Sequence, residues 1–207
     1  ASIKVECGIV RPSLTRRQSV LTEVAGDPGV SSWLTAEPLT SHGFVLNKAE
    51  SRDAIGIRYG WSLDGLPTSC VCGADMSVDH AATCPTGGYP TLRHNELRDT
   101  LAEVFSAAVA DVETEPVLLP MGGEAIRGAT ANRAAEARLD IRARGFWSRQ
   151  QDAFFDVRVT HPSASLLSRA EVLAQMSRNE VQKKRAYLQR VVDVDRGSFT
   201  PLVFSTS

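Results

Sequence analysis

The sequence predicts an α/β protein: a mixed sheet flanked by helices, beside a small Cys/His module and a mainly helical, irregular N-terminal segment. Three observations carry that prediction. Apolar residues recur at helical spacing over residues 91–110, at Leu97, Leu101, Val104, Phe105 and Ala108. Short apolar or alternating runs at 112–119, 137–142, 153–160 and 199–204 read as strands around that helix. Three cysteines and a histidine crowd into a Gly/Pro-rich stretch between residues 64 and 90.

Taken in order, residues 1–63 form the N-terminal segment, 64–90 the Cys/His module and 91–207 the α/β domain. Residues 1–30 carry Pro12, Pro28 and Arg16-Arg17 with weak periodicity, which suits an extended lead-in with one short helix. Residues 48–60 suit a helix stopped by Gly60. The Gly-, Ala- and Asn-rich run 121–136 reads as a long, mobile loop, and 145–151 as a polar turn between two strands. A long helix covers roughly 165–191. Pro201 places the last strand at a sheet edge, because proline cannot donate to a ladder.

At 207 residues the chain can bury one substantial core with room for a satellite module. A net charge of −1 argues against a protein that coats nucleic acid by bulk charge. Basic residues are nonetheless clustered, at Arg138, Arg142, Arg144 and Arg149 and again at Lys183, Lys184, Arg185 and Arg190; the plain alternative is a solvated helix surface. Aromatic residues, at 6%, are too sparse to suggest recognition by base stacking. No apolar run approaches a membrane span, so no membrane partner is expected. The chain opens at Ala1 rather than Met, as expected of a processed chain or a piece of a longer one. Cys7 stands apart and reads as a small core or surface residue.

Cys70 and Cys72, then seven residues to His80 and three more to Cys84, supply four ligands suited to zinc. Three thiolates and one imidazole close a tetrahedral shell and leave no open position. The expected role is therefore structural, in a reducing compartment, with binding energy replacing the core that so short a segment lacks. The alternative is buried thiols with an unrelated histidine.

Asp140 and Asp156 each interrupt an apolar strand, where a carboxylate is costly unless something compensates it. Converging on adjacent strands they would make a hard oxygen site for Mg²⁺ or Mn²⁺, and Lys183 or Lys184 could stabilise charge on a phosphate. Two strand-end aspartates paired with Arg138 and Arg158 would account for the same pattern. His94 and Asn95 sit where a helix N-terminus could meet a phosphate, while Asn95 or Thr91 could equally cap that helix.

Together these pieces resemble the restriction-like endonuclease of non-LTR retrotransposons, a branch of the PD-(D/E)xK nucleases, over residues 33–207. The likeness rests on Trp33-Leu34 and Arg58, the Cys70–Cys84 cluster, the run Arg93 to Asp99, Glu115-Pro116, Arg138-Leu139-Asp140, Asp156-Val157, Glu180-x2-Lys183-Lys184-x2-Tyr187, and Phe199-x-Pro201-Leu202-Val203. It implies a PD-(D/E)xK core with a zinc knuckle, downstream of a reverse transcriptase in a longer polyprotein. The implied activity is nicking genomic DNA in the nucleus, so that the freed 3′-hydroxyl primes reverse transcription of the element RNA. It assigns Asp140 and Asp156 to the catalytic metal, Lys183 or Lys184 and Tyr187 to catalysis, and Glu96 as a third acid. Arg93, His94, Arg138 and Arg158 are expected to touch nucleic acid. Leu139 stands where the family has proline, and Arg158 where a plain D-x-K motif has its lysine. A catalytically inactive nucleic-acid-binding module is the alternative, and a purely protein-binding one a third.

Overall fold

In the computed structural model, which describes residues 13–37, 40, 43, 45–162 and 168–206, the chain divides into two units. Cys7 and the first positions of the helix expected from residue 165 lie outside the described residues. One unit comprises the described parts of Ala1–Gly87, His161–Leu173 and Ser205–Ser207; the other comprises Gly88–Thr160 and Ala174–Phe204. The N-terminal segment and the Cys/His module thus fall in one unit. Among the described residues no helix is long and apolar enough to cross a membrane.

In the first unit, α1 (Arg16–Ala25) and α2 (Lys48–Tyr59) pack together, with Val20, Leu21 and Val24 buried. Both open on capping boxes, Thr15 with Gln18 and Asn47 with Glu50, which satisfy backbone N–H groups that the helix cannot. α2 ends on Gly60 in the left-handed region (φ 65°), where a side chain is disfavoured. Arg58 is buried: its Nη2 donates to Ala25 O (3.1 Å) and Ser31 Oγ (2.5 Å), and its guanidinium faces the Trp33 and Tyr59 rings. A short α3 (Val78–Thr83), capped by Ser77, follows the cysteine turn.

The second unit is mixed α/β, a four-stranded sheet in the order β1 (Val112–Thr114), β2 (Ile141–Arg144), β3 (Asp152–Thr160), β4 (Ser198–Ser205). β1–β2 and β2–β3 are antiparallel. β4 runs the same way as β3, since Gly197 meets Asp152 at one end and Thr160 Oγ1 donates to Phe204 O at the other. β4 is an edge strand, as Pro201 requires. α4 (Tyr89–Ser106) covers one face through Ala102 and Phe105 against Ile141, Ala143 and Phe155. α5 (Arg169–Asp193) supplies Val191 and Tyr187 to a cluster with Leu139, Phe154 and Phe199.

Two strands are shorter than their apolar runs suggest. Pairing along 112–119 stops at Thr114, because Glu115 is left-handed (φ 53°) and Pro116 has no N–H to donate. Beyond it only a bridge between Val117 and Arg138 and single bonds such as Leu118 N to Ala137 O (2.9 Å) survive. The run 137–142 begins its ladder only at Ile141. Leu139 and Ile141, two apart, pack in different clusters, so the chain kinks at Asp140. Leu139 donates its N–H to Pro116 O at 3.2 Å, a bond that proline at 139 could not make.

The run 121–136 is irregular but tied down, contrary to the mobile loop expected. Asn132 donates its N–H to Ala186 O (2.9 Å) and its Nδ2 to Tyr187 Oη (3.1 Å). Arg190, expected on a solvated basic face, is instead fully buried; it donates to Asn132 O, Ala134 O and Leu119 O at 2.7–3.1 Å. Removing it leaves three carbonyls without their charged donor. Arg190→Met is therefore expected to lower stability by about 3 kcal/mol or more, read from urea unfolding. A loss under about 1 kcal/mol would mean the loop relaxes freely.

Candidate functional site

Two clusters of chemistry-bearing side chains stand out, one in each unit. In the first unit, one donor atom each from Cys70, Cys72, His80 and Cys84 all lie within 4.8 Å of one another. A tight turn makes the first half: Cys70 N–H donates to Ala74 O, Gly73 N–H returns to Cys70 O, and Gly73 is left-handed (φ 86°). α3 makes the second half by placing His80 and Cys84 one helical turn apart. Cys70 Sγ and Cys84 Sγ are 3.9 Å apart, close to the edge of about 3.8 Å in a tetrahedron with zinc–sulfur bonds of about 2.3 Å. Cys72 Sγ lies 3.2 Å from His80 Nε2. N–H groups of Gly87 and Thr86 hold the Cys84 thiol below its ordinary range against burial, favouring the thiolate that ligation needs. All three cysteines are free of disulfides. The set is a closed Cys₃His group compatible with a structural zinc ion.

The module is anchored beside this group. Asp79, next to His80, pairs with Arg17 of α1 and with His161 Nε2 (2.6 Å), and His161 Nδ1 meets Thr206 Oγ1 at 2.6 Å. Burial works against the Asp79 anion, but Arg17 and His161 outweigh it and hold the carboxyl below its ordinary range.

In the second unit, the β2–β3 ladder ends with Ile141 opposite Phe155, and just beyond it the Asp140 carboxyl comes within hydrogen-bonding reach of the Asp156 carboxyl. Two carboxylates so placed repel, and each has acquired a partner. The kink lets Asp140 Oδ1 meet His94 Nε2 of α4 at 3.1 Å while Oδ2 accepts the N–H of Val157 at 2.5 Å. Burial disfavours the Asp140 anion, yet His94 and Val157 hold its carboxyl below the usual range. Asp156 is buried, with Lys183 Nζ 2.8 Å from its Oδ2. That contact is a charge pair without the alignment of a hydrogen bond. Burial pushes Asp156 up to about 6, and Lys183 only partly offsets burial and the neighbouring Asp140. The hydrogen bond to Asp140 raises the His94 imidazole above its ordinary range, against burial.

The remaining expected site residues fall as follows. Lys183 joins the aspartates, whereas Lys184 turns to Glu180 at 2.5 Å. Tyr187 stands beneath Lys183, its ring centre 6.0 Å from Nζ, with its hydroxyl fixed by Asn132. Glu96 does not join: it is exposed, two positions from His94 and so on another side of α4, and no three-acid group forms among the described residues. Arg138 and Arg158 pair with neither aspartate; among the described residues neither makes an ion pair. Arg93 lies over the Tyr89 ring, its Nε and Nη1 buried without an acceptor. α4 starts earlier than expected, with Gly88 as N-cap and Pro90 in the first turn, so Thr91 and Asn95 do not cap it. His94 lies past the first turn and acts through its side chain instead. Asn132 was not foreseen, because nothing in a Gly/Ala/Asn-rich run marks one amide as fixed. Lys183 could have been separated from Lys184, since it shares the i, i+4, i+8 stripe of Tyr187 and the fully buried Val191.

Comparison with protein-family models, with curated proteins and with solved structures gave no match.

Proposed function

We propose that Asp140, Asp156 and Lys183 are the working centre of a divalent-metal-dependent DNA endonuclease with a PD-(D/E)xK-type core, and that the Cys₃His group carries a structural zinc ion. The observation that carries this reading is the half-buried ammonium of Lys183, 2.8 Å from the buried Asp156 carboxylate, which itself lies within hydrogen-bonding reach of the Asp140 carboxyl. A buried like-charged pair is unfavourable without a cation, and its chemistry suits Mg²⁺ or Mn²⁺. The resemblance in order and spacing supplies the substrate: genomic DNA in the nucleus, nicked so that a 3′-hydroxyl primes copying of the element RNA by an upstream reverse transcriptase.

Asp140 and Asp156 would hold the metal, which when bound supplies positive charge against the scissile phosphate and a more acidic water. His94 and the Val157 N–H fix the orientation of Asp140 before any ligand arrives, so little reorganisation is left for the reaction. Lys183 places its ammonium where charge builds on the phosphate, and Tyr187 restricts the positions open to it. Arg158, in the position of a D-x-K lysine, is not needed for this role once Lys183 reaches Asp156 from α5.

The test is nicking of supercoiled plasmid by the purified chain with Mg²⁺, with and without chelator, beside Asp140→Ala. Cutting that persists in Asp140→Ala or under chelation sinks the assignment. Salt-sensitive DNA binding without cutting would mark an inactive binding module. Lys183→Met is expected to slow nicking by about 10²-fold, while Lys184→Met stays within about twofold. Equal effects of the two would remove Lys183 from the centre.

A further inference from the structure

The solvent side of α5 carries a second feature, roughly 140–180° around the helix from Lys183. Val181, Leu188 and Val192, at i, i+7 and i+11, are 41%, 39% and 46% exposed and line the floor of a groove. Its far wall is the segment around Arg127–Thr130, which is built in: Arg127 N–H donates to Gln189 Oε1 (2.8 Å), and Arg133 Nη2 bonds Ile126 O and Gly128 O, both at 2.8 Å. The rim is basic. Arg127, Arg178 and Arg185 make no ion pair among the described residues, Lys184 is held by Glu180, and Asp193 is the one acid of the lining.

We propose that this groove docks an acidic amphipathic helix of a partner protein. A helix with an apolar stripe and flanking Glu or Asp uses both properties of the surface: the aliphatic floor at heptad spacing and the unpaired cations beside it. A nucleic-acid strand would use the cations alone, since the floor has no aromatic ring for a base to stack on. A second copy of this chain fits less well, because the exposed acids of α4 (Glu96, Asp99, Glu103) share their stripe with a single exposed leucine, Leu92, to set against the three aliphatic side chains of the floor. The docking does not depend on the nuclease reading.

The test uses the whole chain and a synthetic peptide about three heptads long, with leucines on one face and glutamates beside them. A peptide of the same composition with the leucines scattered is the control, and binding is read by fluorescence anisotropy. The ordered peptide is expected to bind and the scattered one not, with Leu188→Asp and Arg185→Glu each weakening binding by about tenfold. No binding, or equal binding of both peptides, overturns the proposal. A DNA oligonucleotide whose affinity falls in Arg185→Glu but not in Leu188→Asp would give the groove to nucleic acid instead. Self-association of the chain alone, abolished by Leu188→Asp, would give it to a second copy. Should Leu188→Asp fail to fold, Val181→Ser and Arg178→Glu make the same discrimination.

Discussion

Asp156→Asn is expected to yield a folded protein that melts higher than the parent at pH 7.5 in chelator and, if the proposed nuclease reading holds, nicks DNA about 10³-fold more slowly. Both halves follow from one carboxylate. Burial and the facing Asp140 raise its pKa from 3.8 to about 6 in the folded state, even with Lys183 beside it. A group with a raised folded pKa binds its proton more tightly when folded, so its favourable contribution is present below the unfolded value and lost as pH rises through about 6. At pH 7.5 the ionised carboxylate is therefore a net burden, which asparagine removes. The gain in melting temperature should shrink as pH falls from about 6 toward 4, where the parent is relieved by protonation. The same charge is what a divalent cation needs, so the substitution trades activity for stability. An asparagine variant that is less stable at pH 7.5, or that still cuts, would contradict this account.

Removing zinc is expected to have the larger structural effect. A structural zinc site contributes on the order of 10–16 kcal/mol, comparable with or greater than the whole stability of an ordinary domain at about 5–15 kcal/mol. Elemental analysis should find about one zinc per chain. A strong chelator, or Cys84→Ser, should abolish amide protection over residues 69–87. The loss should reach α1, because Asp79, next to His80 in α3, anchors Arg17. Wild-type protection in a zinc-free sample would show that hydrogen bonds alone hold the turn.

What could be read from sequence was what rests on local spacing. Cys70, Cys72, His80 and Cys84 assemble because their spacing matches a turn followed by one turn of helix. Gly60 and Pro201 each announced a backbone consequence, a helix stop and a sheet edge. Asp140 and Asp156 stand out because carboxylates interrupt apolar strands, and their carboxyls do come together. What could not be read depends on contacts far apart in the chain. Arg190 looks like any basic residue on a charged helix until the carbonyls of Asn132 and Leu119 close on it. His94 meets Asp140 across 46 positions, and only the kink at Asp140 lets it reach. Glu96, which the resemblance implies as a third acid, is exposed on a different side of the helix from His94, the residue that reaches Asp140.

The bond between His161 and Thr206 bears on how the polypeptide is made. The Cys₃His group is local in the sequence and can assemble while the chain is still emerging from the ribosome. The first unit, however, draws on His161–Leu173 and Ser205–Ser207, which are translated only after the whole of β1 to β3 or later still. Its completion must wait for those residues. Until then Asp79 lacks its imidazole partner, and the early part of the chain matures last.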